Sequence, residues 1–176
     1  MDSRVPKILG LLCLLTFAVA QEPPKPDVPD KIKAPAGEQL ALVAHATGFQ
    51  IYSYQMGTDG QPAWVFKAPE AELRDNTDRV VVRHYAGPTW KHNDGSEVTG
   101  KVLTKVDSPD ADAIPWLLST AASHSGSGTL ADVSTIQRIH TKGGQPPAAA
   151  RCTSSNLDAT SKSSYVADYY FYTPAK

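Results

Sequence analysis

His84-Tyr85-Ala86-Gly87-Pro88-Thr89-Trp90-Lys91-His92-Asn93-Asp94-Gly95-Ser96-Glu97-Val98-Thr99-Gly100 is the stretch whose reading decides the fold. Gly87-Pro88 is a corner, because proline fixes its own φ and has no N–H to give. Asp94-Gly95 is the strongest hairpin signal in the chain, since both central residues of a type I′ turn need positive φ. Between them Thr89 to His92 reads as a short strand, and Glu97 to Val106 as its return. A strand, a tight turn and a returning strand make an antiparallel pair.

Working outward, the same period-two pattern recurs with turn punctuation. Leu40 to His45 and Phe49 to Tyr54 read as strands separated by a Thr47-Gly48 corner. Asp59-Gly60 turns the chain into Ala63 to Lys67, and Pro69 to Leu73 fits one helical turn. Arg79 to His84, Ile136 to Thr141 and Tyr165 to Tyr172 are further strands. Asp110 to Ser123 is ambiguous: its apolar residues fit a helical stripe, but Pro115 would break a helix beyond its first turn, and a strand from Pro115 competes. Eight or nine short strands predict an all-β fold, an antiparallel β-sandwich or barrel with at most one or two short helices. No convincing repeat of 20 to 50 residues is present, which argues against a propeller or solenoid.

The first 20 residues read as an export signal. Arg4 and Lys7 precede an apolar run from Ile8 to Ala20, and Ala18-Val19-Ala20 offers a small-x-small cleavage site. The run is too short for a membrane-spanning helix. Leu12 before Cys13 does not fit a lipoprotein signal. The expectation is a secreted or periplasmic protein, with residues 21–36 a solvated, extended proline-rich arm and residues 37–176 a single β-rich domain. Cleavage leaves 156 residues with 15 basic and 17 acidic side chains. That balance excludes the basic footprint of a nucleic-acid binder and a polybasic membrane patch. Cys13 departs with the signal, so Cys152 is left alone, sheltered in a monomer or linking a dimer.

Several motifs occur in order: Gly48-Phe49-Gln50-Ile51-Tyr52, Trp64-x-Phe66-x-Ala68-Pro69-Glu70-Ala71, His84 to Trp90, Asp94-Gly95-Ser96-x-Val98-x-Gly100, Ile114-Pro115-Trp116-Leu117-Leu118, Ile136-Gln137-Arg138, Thr141-x-Gly143-Gly144 and Ala167 to Tyr172. Together they resemble the exported family known as domain of unknown function 3455, over essentially the whole mature domain. The resemblance implies no established activity. It also implies that Tyr54 stands where relatives often carry a cysteine, a partner for one matching Cys152, and hence that these segments lie close together.

Some relatives carry a malate dehydrogenase label, which raises the question of a dinucleotide. Gly126-Ser127-Gly128-Thr129-Leu130-Ala131 matches G-x-G-x-x-A, but the segment after it, Val133 to Ile139, is β-branched and polar, and position 151 is Arg rather than an acid. A flexible loop is the better reading, and no cofactor is expected. His84, His92 and Asp94 are the candidate metal ligands, yet no H-x-x-x-H or H-E-x-x-H spacing occurs, and satisfied histidines are preferred to a metal. Asp107, Asp110 and Asp112 lack the EF-hand glycine and glutamate. No G-x-S-x-G elbow is present. Glu70, Asp94 and Glu97 offer carboxyl pairs without a known separation, and Cys152 lacks a catalytic signature.

A non-catalytic binding or envelope-associated protein is therefore the preferred class, with a glycan or small molecule as partner. A secreted hydrolase acting on extracellular polymer and a purely structural secreted protein remain the alternatives. The candidate ligand-binding residues are His84, Tyr85, Trp90, Asp94, Gln137 and Arg138. Trp90, beside Lys91 and His92, is expected to be exposed for stacking, while Trp64, Phe66 and Phe171 are expected in the core. Gln137 and Arg138 lie between two isoleucines, so one of them is expected to point inward as a polar anchor.

Overall fold

The period-two pattern folds into eight strands: β1 (Glu38–Met56), β2 (Pro62–Arg74), β3 (Val80–Tyr85), β4 (Thr89–His92), β5 (Glu97–Val106), β6 (Trp116–Ser125), β7 (Thr135–Gly143) and β8 (Thr160–Pro174). The computed structural model describes residues 24–148 and 157–175. Each strand pairs antiparallel with the next, and β8 pairs with β1 to close a barrel. Of the two expected architectures the barrel is the one formed. Closure removes the sheet edges over most of the circumference, leaving residues 62–70 of β2 and 100–106 of β5 without a strand neighbour on one side, beyond the short β3–β4 hairpin. The signal segment and Cys152 lie outside the described residues. No helix among the described residues is long and apolar enough to cross a membrane.

Alternation decides what lies inside. Ala44, Ala46, Leu73, Val82, Trp90, Val98, Ile136 and Phe171 are all buried in one interior cluster. The loop between β6 and β7 folds under the barrel, burying Leu130 and Val133 in the same cluster. Asp94 and Ser96 hold that loop in place. Thr129 N donates to Asp94 Oδ2 (2.8 Å), Leu130 N donates to Ser96 Oγ (3.0 Å), and Ser96 Oγ donates to Asp94 Oδ1 (2.6 Å). This end of the barrel is closed.

Several expectations need correction. The Thr47-Gly48 corner does not exist, because β1 runs unbroken through it. Gly48 is there to admit β2: a Cβ would fall 2.2 Å from Glu70 O. Pro69 begins no helical turn but lies within β2, two residues before β2 starts to pair with β3 at Ala71. With no neighbour on that edge, its missing N–H costs nothing. The ambiguous stretch resolves as a strand from Trp116. The Asp94-Gly95 hairpin is present, but only Gly95 takes positive φ (+95°). His92 N bonds Ser96 O (2.9 Å) and Gly95 N bonds His92 O (3.1 Å), giving a three-residue loop rather than a type I′ turn. The hairpins at residues 57–61 and 75–79 show the same hydrogen-bond pair, with Gly60 and Asp78 at positive φ.

The proline-rich segment is not solvated throughout. It makes a 3-10 turn, Asp30–Ile32, and lays Val28 and Ile32 onto the outside of the barrel against Leu118 and Ile139. Ile32 is fully buried there. Two apolar side chains among the prolines suffice to dock the segment, which the proline content concealed.

Candidate functional site

At the end opposite the Asp94 clamp the barrel is hollow. The β3–β4 hairpin is short, turning at Gly87-Pro88, so above it the upper part of β2 has no neighbour on one side. A cavity of about 720 Å³ occupies this space. Its inner wall includes His84, Trp90, Tyr169, Ser119 and Arg138, and its mouth is framed by Phe66 and Lys67 of β2 and Val102 and Lys105 of β5. A volume of this size falls within the range of small-molecule sites.

The floor is an aromatic stack. The rings of His84 and Trp90 lie 4.4 Å apart and nearly parallel, at 6°. Tyr169 meets both edge-on, at 5.4 and 5.9 Å. Cross-strand pairing positions them, since His84 sits opposite Trp90 in the β3–β4 register. His84 Nδ1 is 2.8 Å from Thr89 O, and a carbonyl only accepts, so Nδ1 carries the proton. Burial pushes this imidazole down to about 3, against the Thr89 hydrogen bond that favours the charged ring. His84 is neutral at physiological pH, with Nε2 as an acceptor. Burial raises the Tyr52 hydroxyl above its ordinary range, and this group donates to Gly144 O at 2.7 Å.

The wall is polar and incompletely satisfied. Gln50 Nε2, Trp90 Nε1, Ser119 Oγ and Arg138 Nε are buried without a hydrogen-bond partner. All four side chains line the cavity. Glu38, Trp64 and Trp116 carry the other such atoms among the described residues and lie elsewhere. An unsatisfied buried polar atom costs about 1–3 kcal/mol, so such a concentration calls for an explanation.

The structure separates the six sequence-predicted residues. His84, Trp90 and Arg138 converge on the cavity. Trp90 is buried, not exposed, because its register with Val98 and His84 puts it on the inner face. Arg138 is the inward anchor. Gln137 faces the other way and is buried under the docked segment, its Nε2 donating to Ile32 O (2.6 Å) and its Oε1 accepting from Tyr172 (3.1 Å). Asp94 belongs to the closed end, where its hydrogen bonds to Ser96 and Thr129 hold its carboxyl far below the usual carboxylate range. Tyr85 is on the outer surface, donating to Glu97 at 2.7 Å. The core expectation holds for Phe171 but fails for Phe66, about half exposed at the cavity mouth.

His92 lies 2.9 Å from Asp94, but His84 is turned into the aromatic stack. No group of three metal-ligating side chains occurs among the described residues. The segment from Gly126 to Ala131 belongs to the loop capping the closed end and opens no helix. Sequence reasoning missed Gln50, Ser119 and the lysine pair at the mouth. Gln50 alone had a signal, since it alternates with the aromatic Tyr52 on β1.

A second, shallower groove of about 770 Å³ crosses the outside of β8, β1, β2 and β3, where Phe49, Tyr85 and Val166 are exposed. Two of its charge pairs are matched, Arg83 with Glu72 and Lys162 with Glu70. Among the described residues, none of the buried side-chain polar atoms without a partner belongs to a residue lining this groove.

A family model described as Protein of unknown function (DUF3455) matches residues 35–173 of the chain. No curated protein and no solved structure gives a match.

Proposed function

We propose, for a chain that belongs to the DUF3455 family of proteins of unknown function, that it holds a small organic ligand inside the barrel and does no chemistry on it. The observation that carries this reading is the set of four side chains on the wall of one cavity, Gln50, Trp90, Ser119 and Arg138, that each hold a buried polar atom without a hydrogen-bond partner. Aromatic surface supplies affinity and a few fixed polar groups supply orientation, which is the usual composition of a binding pocket. Among the described residues the wall offers no hydrogen-bonded pair of nucleophile and base. His84, the one imidazole there, is fixed by Thr89 and stacked on Trp90. The export signal read at residues 1–20 supports a site of action outside the cytoplasm.

Ligand-observed NMR with a fragment panel of mixed charge tests the reading, using the wild-type protein and Ser119→Phe, which fills the cavity from its wall. Hits that bind the wild type and are lost in the filled variant support it, with circular dichroism confirming that the variant is folded. Leu117→Trp provides a second plug. Hits that bind both plugged variants as well as the wild type overturn an interior site, as does a panel without hits.

A further inference from the structure

We infer that the ligand is an amphipathic monocarboxylate, its carboxylate held by Arg138 and its apolar body lying against Trp90, Tyr169 and Leu117, an inference that rests on the interior binding site proposed above. The first observation is charge. Lys67, Lys105 and Arg138 line the cavity and its mouth, and no aspartate or glutamate among the described residues does. The second is the state of Arg138. Its Nη2 donates to Pro115 O at 2.8 Å, its Nε is buried with no acceptor, and no carboxylate among the described residues pairs with it. A guanidinium stays charged at any physiological pH, and one partly withdrawn from water loses hydration that no counterion among the described residues replaces.

The remaining donors point to the same chemistry. Trp90 Nε1 is a buried N–H without an acceptor, and Gln50 on the same wall directs its amide to the Tyr165 hydroxyl, so the groups around the cavity are chiefly donors. An ionised carboxylate is acceptor-only and accepts a guanidinium in two parallel hydrogen bonds. A primary amide or an amine brings further N–H groups to a wall already rich in donors. One interior guanidinium matches one negative charge. The second charge of a phosphate monoester meets no second interior cation among the described residues, because Lys67 and Lys105 stand at the mouth. Lys67 is engaged there with the neutral Gln55 at 2.8 Å, so its charge is free to draw an anion inward. The apolar lining of Ile114, Leu117, Trp90 and Tyr169 suits a hydrocarbon or aromatic body.

Calorimetric titration with nonanoate and 2-naphthoate, each beside its primary amide and the corresponding primary amine, tests the inference. In the wild type the acid should bind at least tenfold more tightly than its amide, with the amine weakest. Arg138→Gln should remove that advantage, leaving acid and amide within about twofold, and Arg138→Lys should retain part of it. The comparison within the wild type stands even where a variant misfolds. Acid and amide binding equally to the wild type, with both lost in Ser119→Phe, overturn the carboxylate and leave the interior site standing. An acid advantage unchanged in folded Arg138→Gln overturns the assignment to Arg138. Failure of all six compounds to bind at millimolar concentration overturns the inference and the interior site together.

Discussion

Acidification from pH 7.5 to pH 5 should destabilise this barrel through His84 alone among its perturbed groups. The ring is enclosed by Trp90, Tyr169 and the Thr89 carbonyl, and burial lowers it to about 3. In the unfolded chain it titrates near its ordinary value of about 6.5. A depressed folded value means that its contribution is fully present above about pH 6.5 and is lost as pH falls toward 3, because only the unfolded chain takes up the proton. At pH 5, about 1.5 units below 6.5, the loss is roughly 2 kcal/mol at about 1.4 kcal/mol per unit. With a urea dependence of about 2 kcal/mol per molar, the unfolding midpoint should fall by about 1 M.

Asp75 and Asp94 are also depressed, but carboxylates begin to count only as pH approaches about 4. His45 acts in the opposite sense. Asp168 and Asn76 accept from its two ring nitrogens and raise it, so its contribution is present at low pH and is lost as pH rises through the raised value. It is half exposed, and it is unchanged in the comparison that matters. Urea titrations of wild type and His84→Gln at both pH values isolate the His84 contribution, since glutamine can still donate to Thr89 but does not titrate. A wild-type midpoint that falls by about 1 M more than the variant's is expected. Parallel shifts in the two proteins would refute the idea that a neutral His84 is built into the fold.

Three further outcomes are set by the packing. Gly100→Ala places a Cβ 2.8 Å from Trp90 Cζ3; overpacking of this kind costs about 1–3 kcal/mol, read as a lower urea midpoint and an altered Trp90 near-ultraviolet signal. Ile32→Ala should cost about 2–4 kcal/mol, because the side chain is fully buried against the barrel, whereas a solvated arm predicts no change. Asp94→Asn should lower the thermal midpoint by loosening the loop that carries Leu130, yet leave affinity for any cavity ligand within about twofold, because Asp94 stands at the closed end.

What the sequence could disclose was set by how local each cause is. Strands β4 and β5 were legible to the residue, since a proline corner and an Asp-Gly turn bound them on both sides. Gly48 was misread as a corner because a turn glycine and a close-approach glycine look alike until the crossing strand is known, and Glu70 lies far along the chain. Pro69 was misread for the same reason: whether proline is tolerated depends on whether β2 has a neighbour there. Trp90 looked exposed beside Lys91 and His92, although alternation with Val98 across the hairpin already placed it on the inner face. Arg138 was reached through its position between isoleucines. Ser119, Lys67 and Lys105 became meaningful only once barrel closure brought β2, β5, β6 and β7 around one space.

The most direct test of the interior site is intermolecular NOE spectroscopy of bound 2-naphthoate. Contacts from the naphthyl protons to Trp90, Tyr169 and Leu117 are the expected result. Contacts instead to Phe49, Tyr85 and Val166 would place the ligand in the outer groove and contradict an interior site.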